Sequence, residues 1–246
     1  RMSSETYHTL KGLLKKKFGA RATLIGDEGG FVPPINTLEE RLELMLKAAE
    51  EAGYKNEMKP ALDCASSEFY DEASKTYTIV DKKYTSAELV DFYAEAVKKY
   101  GIISIEDGMS QNDWEGWALM TSKLGIQIIG DDLLCTNPKL IKKAIEQKAV
   151  NSLLLKVNQI GSVSESLDAA KLSFNSNWTV VVSHRSGETE DPFIADLVVA
   201  IAAGQSKFGA PARSDRNAKY NQLLRIEEEL GSNAVYPGVN FREISR

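Results

Sequence analysis

Cysteine is scarce in this chain: Cys64 and Cys135 are the only two in 246 residues, and neither belongs to a CxxC pair. Two isolated thiols argue against a disulfide framework and for a reducing compartment, which makes the cytoplasm the expected location. No run of 18 apolar residues occurs, so a transmembrane helix is excluded on length and no membrane insertion is expected. The opening RMSSETYHTLKGLLKKKFG is polar and helical in period, unlike a signal peptide. A net charge of −5 leaves no basic footprint, so no nucleic-acid partner is expected, and an anionic substrate would need local cations or a metal. The glycine-rich GxGxxG turn of open dinucleotide-binding sheets is missing. No low-complexity stretch or Pro/Gly/Ser linker divides the chain, so residues 1–246 are expected to form one domain.

What is present is a repeat: a short β-rich apolar run, then an amphipathic helix. Strands are predicted at 60–64, 102–106, 126–130, 152–156, 179–183 and, more weakly, 204–208. Several are continuous apolar runs, the pattern of strands buried on both faces. Helices are predicted over 38–52, 86–99 and 163–175, with Thr37/Glu40 and Thr85/Glu88 as capping boxes and Ser162 with Glu165 opening the third, and another starts at Asn137–Pro138. A hairpin is predicted over 67–80, and the tail after residue 231 reads as irregular. Six consecutive β/α units imply a parallel sheet with crossover helices, an α/β fold. A closed eight-stranded barrel needs two strands more, so either the barrel is incomplete or those strands precede Arg1. The start on Arg1, ahead of Met2, reads as that of a fragment or a processed product.

An ionisable residue stands at the carboxyl end of each predicted strand: Asp63, Glu106, Asp131, Lys156 and His184, with Lys207 inside the sixth. For any one of them a satisfied strand-end charge is the simpler reading. Six in series, at the barrel face that holds active sites, point to chemistry. Three carboxylates from neighbouring strands form a hard-oxygen cage suited to Mg²⁺. Asp107 and Asp132 compete for that role, but strand alternation turns them away from Glu106 and Asp131. Lys156 closes a very apolar strand, where desolvation favours a neutral amine able to act as a base. Arg185 and Ser186, after His184, suit a phosphate. The glycine-broken segment 24–34 (LIGDEGGFVPP) carries two acids and suits delivery of a general acid.

Seven ordered segments resemble the enolase family: GDEGGF (26–31), ALDCASSEFY (61–70), SIEDG (104–108), GDDLLCTNPK (130–139), LLLKVNQIGSVSES (153–166), SHRSGETEDPFIADLVV (183–199) and GAPARSDRNAKYNQLLRIEEELG (209–231). The resemblance implies a TIM-like (β/α) barrel of the enolase type, with the first two strands and an amino-terminal α+β domain preceding Arg1. It implies reversible dehydration of 2-phosphoglycerate to phosphoenolpyruvate, with Lys156 as base and Glu28 as acid. Asp63, Glu106 and Asp131 would ligate a first Mg²⁺, and a second would bridge the substrate. That a Lys or His base works with one or two Mg²⁺ ions is a general property of this superfamily and is not read from spacing. Ser183, His184, Arg185, Ser186 and Lys207 would contact substrate, with Glu106 and Asp131 beside them, and the assembly would be a homodimer. A loop serine, a closing histidine and a further glutamate of the family match nothing here.

Departures from the family pattern are small: Gly108–Met109, where some members carry proline and an aromatic, and Ser206 and Phe208 around Lys207. Two other readings are a non-catalytic structural or interaction protein on the same barrel, and a sugar-acid dehydratase. The intact Lys156, Glu28 and carboxylates oppose the first, and SHRSGE with GDEGG opposes the second. Because a six-stranded barrel has open edges, residues 1–246 alone are expected to be inactive and poorly folded.

Overall fold

The computed structural model describes residues 1–242. In chain order these form α1 (Met2–Phe18), α2 (Leu38–Glu51), β1 (Ala61–Asp63), β2 (Tyr70–Asp71), β3 (Thr76–Ile79), β4 (Lys82–Tyr84), α3 (Ser86–Tyr100), β5 (Ser104–Glu106) and α4 (Trp114–Leu124). They continue with β6 (Gln127–Gly130), α5 (Pro138–Gln147), β7 (Ser152–Leu155), α6 (Val157–Ile160), α7 (Val163–Asn175), β8 (Thr179–Ser183), α8 (Phe193–Ala200), β9 (Ser206–Lys207) and α9 (Ser214–Leu230). All six expected strand segments contain a strand, mostly a residue or two shorter than predicted. The chain divides into two compact units, residues 59–180 and residues 1–58 with 181–246, the boundary falling inside β8.

In the unit of residues 59–180, β1, β5, β6 and β7 pair in that order, all parallel. The register aligns Asp63 with Glu106, Glu106 with Ile129, and Ile129 with Ser152. Cross-strand partners point to one face and every second residue follows them. Asp63, Glu106, Asp131 and Lys156 therefore share a face, as the strand-end series requires. Deeper on that face lies a polar layer. Gln127 donates to Ser104 Oγ (3.3 Å) and accepts from Thr179 Oγ1 (3.0 Å), while Ser152 Oγ donates to the Thr179 carbonyl. The opposite face is apolar and packs under the helices, where Leu89, Tyr93, Trp117, Met120 and Ile141 are buried.

The helix starts follow their caps. Thr85 and Glu88 close a full capping box on α3, and Asn137 caps α5 ahead of Pro138. Thr37 caps α2 through Glu40 N, but the box is half made, because the Glu40 carboxylate takes Lys17 Nζ at 2.5 Å. The predicted hairpin is a three-stranded antiparallel sheet, β2–β3–β4, followed directly by α3.

In the unit of residues 1–58 and 181–246, α1 packs on α2 and α8 on α9. Leu14, Ala22 and Ile35 form a small core with Leu10, Phe18, Phe31 and Leu44 around it. Strand β8 pairs with β9 in parallel, aligning Ser183 with Lys207. The segment around Glu28 is a closed loop, pinned by an Ile25–Phe31 bridge and by Tyr7 Oη donating to the Gly29 carbonyl.

Leu153, Leu154 and Leu155 are wholly buried. Truncation of such a residue loses its transfer energy and leaves a cavity. Leu154→Ala is expected to cost about 2–5 kcal/mol in urea unfolding; a loss below about 0.5 kcal/mol, the range of surface changes, would contradict the assigned core.

Candidate active-site residues

In the unit of residues 59–180 the acidic residues cluster where the strands end. Glu106 and Asp131 are buried, while Asp63 is exposed. Lys156 lies just past β7, as the residue before the single turn α6, and its Nζ donates to Asp131 Oδ2. Gln159, one turn on, donates from Nε2 to Asp131 Oδ1 at 3.0 Å. Thr136 fixes both, accepting from Lys156 N and donating to Gln159 Oε1, each at 3.0 Å. Gln159 belongs to the site although its residue type gave no warning; its spacing of three from Lys156 on a helical turn was the available signal.

Asp107, Asp131 and Asp132 each offer an oxygen within 4.8 Å of the others. Asp107 nevertheless acts as a backbone support. Its backbone takes the left-handed conformation (φ 44°), and its oxygens accept from Asp131 N at 2.9 Å and Asp132 N at 3.0 Å. It thereby sets the turn that presents Asp131. Burial, together with the charges of Asp131 and Asp132, pushes Asp107 up to about 7 despite those two N–H bonds. Asp132 is raised for the same reasons, burial first and Asp131 next. Crowded carboxylates in a poorly solvated place suit a hard divalent cation of the Mg²⁺ type. The donor set is all oxygen, with no cysteine or histidine in it.

In the other unit the groups gather around His184, which follows β8. His184 is 2% exposed, and its Nε2 lies 3.2 Å from Glu28 Oε2, off the line of a good hydrogen bond. This contact with His184, helped by the charges of Lys207 and Arg216, holds the Glu28 carboxyl down to about 2 against the opposing effect of burial. Ser186 Oγ reaches Glu28 Oε1 at 3.4 Å. Ser183, expected among the substrate contacts, has its hydroxyl bonded to the His184 carbonyl at 3.0 Å. Arg185 is partly exposed, and its N–H donates to Glu188 Oε1 at 3.2 Å. Lys207 is half-buried beside Ser183 on β9.

Two cations missed in the sequence hold this cluster in place. Arg216 and Lys219, on the first two turns of α9, are 1% and 0% exposed. Lys219 donates to Glu188 Oε2 (2.7 Å), the Asp215 carbonyl (2.7 Å) and the Thr189 carbonyl (2.5 Å). A buried cation so completely paired anchors a loop and is costly to disturb. On a mostly polar helix these two residues read as ordinary surface charge, so burial alone reveals them.

Glu28 carries a stability signature. Its pKa is depressed from 4.5 to about 2 by folding, so its ionised form contributes stability above pH 4.5, and that contribution is lost as pH falls toward 2. The stability difference between the protein and its Glu28→Gln variant is expected to be constant above about pH 5.5 and to shrink steadily below 4.5. A difference independent of pH from 6 to 3, measured by urea midpoints, would contradict the assigned His184–Glu28 contact.

Comparison with known sequences gives one family. Residues 1–245 match the model described as "Enolase, C-terminal TIM barrel domain". The chain is 60% identical over 246 residues to a Thermococcus gammatolerans protein named enolase, covering 98% of this chain and 57% of that protein. It is 58% identical over 246 residues to the enolase of Thermococcus kodakarensis, with the same coverage. To the enolase of Pyrococcus furiosus it is 54% identical over 248 residues, covering 99% of this chain and 58% of that one. The chain thus spans somewhat over half the length of the curated relatives it matches. It belongs to the enolase family and corresponds to the α/β, C-terminal TIM-barrel domain of that family.

Proposed function

We propose that this chain supplies the metal-binding and acid–base residues of an enolase, a hydro-lyase that reversibly dehydrates 2-phosphoglycerate to phosphoenolpyruvate. The observation that supports this most is the shared face of Asp63, Glu106, Asp131 and Lys156, with Lys156 donating to Asp131. Asp63, Glu106 and Asp131 would hold the first Mg²⁺, and a second ion would bind with substrate. Those ions would supply charge stabilisation where a second negative charge builds on the substrate carboxylate.

The protein's own groups divide the remaining work. Lys156, once released from Asp131 and as the neutral amine, takes the C2 proton and becomes the ammonium. Arg185, Ser186 and Lys207 bind the phosphate and carboxylate, with His184 beside them. Glu28 protonates the C3 hydroxyl as it leaves, and in the reverse direction takes a proton from water. An anionic substrate beside Lys207 would offset the positive charge that depresses Glu28, and so favour the protonated acid. The homodimer and the cytoplasmic setting belong to the same proposal, the first on the family resemblance and the second on unpaired Cys64 and Cys135.

The full-length protein is expected to form phosphoenolpyruvate from 2-phosphoglycerate in Mg²⁺, followed by ultraviolet absorbance. Lys156→Ala is expected to lower kcat by about 10²–10⁴-fold, the usual worth of a general base. A folded, Mg²⁺-loaded protein without turnover would leave a structural role for the barrel instead.

A further inference from the structure

The α9 residue Arg216 stands where three pieces of chain meet. Its Nη1 donates to the Arg185 carbonyl at 2.8 Å, and its Nη2 to the Ser186 carbonyl at 2.7 Å and the Asp27 carbonyl at 2.9 Å. Its Nη1 also contacts His184 Nδ1. Asp215 Oδ2 lies 3.0 Å from its Nε and balances the charge. Gly209 lets the pieces close. It has φ +83°, and a Cβ there would lie 2.8 Å from the Glu28 carbonyl, 2.9 Å from Arg216 Cδ and 3.0 Å from His184 Cε1. Ala210 N donates to that same Glu28 carbonyl at 2.9 Å.

The contact with His184 has a chemical consequence. A guanidinium has five donors and no acceptor, and it stays charged at any physiological pH. A ring nitrogen facing it must offer a lone pair, so Nδ1 is unprotonated and the ring proton sits on Nε2, the atom 3.2 Å from Glu28 Oε2. That buried N–H lacks a well-aligned acceptor. It is therefore held ready for a small movement of Glu28, or for an oxygen of a bound ligand.

We propose that Arg216 is a positioning residue for the acid half of the reaction. It fixes His184 as the Nε2–H tautomer beside Glu28, and through three carbonyls it locks the loop carrying Glu28 to the loop carrying Arg185 and Ser186. The catalytic meaning rests on the enolase reading, whereas the tautomer does not. Lys219 secures the same loop through Glu188 without touching the ring, so the two buried cations can be separated experimentally.

The test is long-range ¹H–¹⁵N NMR of His184 in the full-length protein at pH 7, the signal assigned by its loss in His184→Gln. The protein and its Lys219→Met variant are expected to show an unprotonated Nδ1 and a protonated Nε2, and Arg216→Met a mixture of tautomers. In turnover, Arg216→Met is expected to lose roughly 10- to 100-fold in kcat, as when an outer orienting partner is removed, with a smaller change in KM. Arg216→Lys, which keeps the charge but loses the fork, is expected not to restore it. A proton on Nδ1, or on both nitrogens, in the unmutated protein would overturn the proposal, as would an unchanged tautomer in folded Arg216→Met. Should that variant fail to fold, the unmutated spectrum decides. The spectrum requires no substrate, so an inactive protein can pass it and an active enolase can fail it.

Discussion

The ion pair between Lys156 and Asp131 is the point at which fold and chemistry constrain each other. It exists because β6 and β7 pair with Ile129 opposite Ser152, which turns both strand ends toward one face. A slip of one residue would send Lys156 to the helix-covered face and leave a charge among apolar side chains. The pair is largely buried, so either partner alone would be an uncompensated charge in poor solvent. Thr136 and Gln159 hold the two ends, and Asp107, bent into a left-handed conformation, aims Asp131 from behind. Asp107 bears the electrostatic cost of that arrangement, and a divalent cation at the neighbouring carboxylates would relieve it.

The residues around Glu28 are held by buried cations: Arg216 pairs with Asp215 and Lys219 with Glu188, and both also donate to backbone carbonyls. Gly209 is the steric condition for this arrangement: any side chain there would meet both the Glu28 carbonyl and the Arg216 stem.

Much of this was legible in the sequence. Continuous apolar runs located several of the six strands, because strands buried on both faces need no alternation, while GQSKF (204–208) gave only a weak signal for β9, and the Thr85, Asn137 and Ser162 caps located helix starts. Charges at strand ends marked the face that Asp63, Glu106, Asp131 and Lys156 share. Other features were hidden because they depend on contacts between distant residues. Whether Glu40 completes a capping box depends on Lys17 reaching it first. Lys156 reads as the last residue of a strand but begins the turn that brings Gln159 to Asp131. Asp107 reads as a spare ligand, and only its two backbone hydrogen bonds reveal it as a support. Gly108, an apparent departure from the family pattern, is explained by packing, since a Cβ there would lie 2.7 Å from Met120 Sδ. Arg216 and Lys219 resemble solvated helix charges until their burial is known.

The assignment of Asp63, Glu106 and Asp131 as ligands, with Asp107 as support, is tested most directly by anomalous diffraction from crystals of the full-length protein in Mn²⁺. The expected result is a metal peak within coordination distance of Asp63, Glu106 and Asp131 oxygens, with Lys156 Nζ withdrawn from Asp131 and the Asp107 bonds to Asp131 N and Asp132 N intact. A peak ligated by Asp107 and Asp132 with the Lys156–Asp131 pair still closed, or no peak at saturating Mn²⁺, would contradict it.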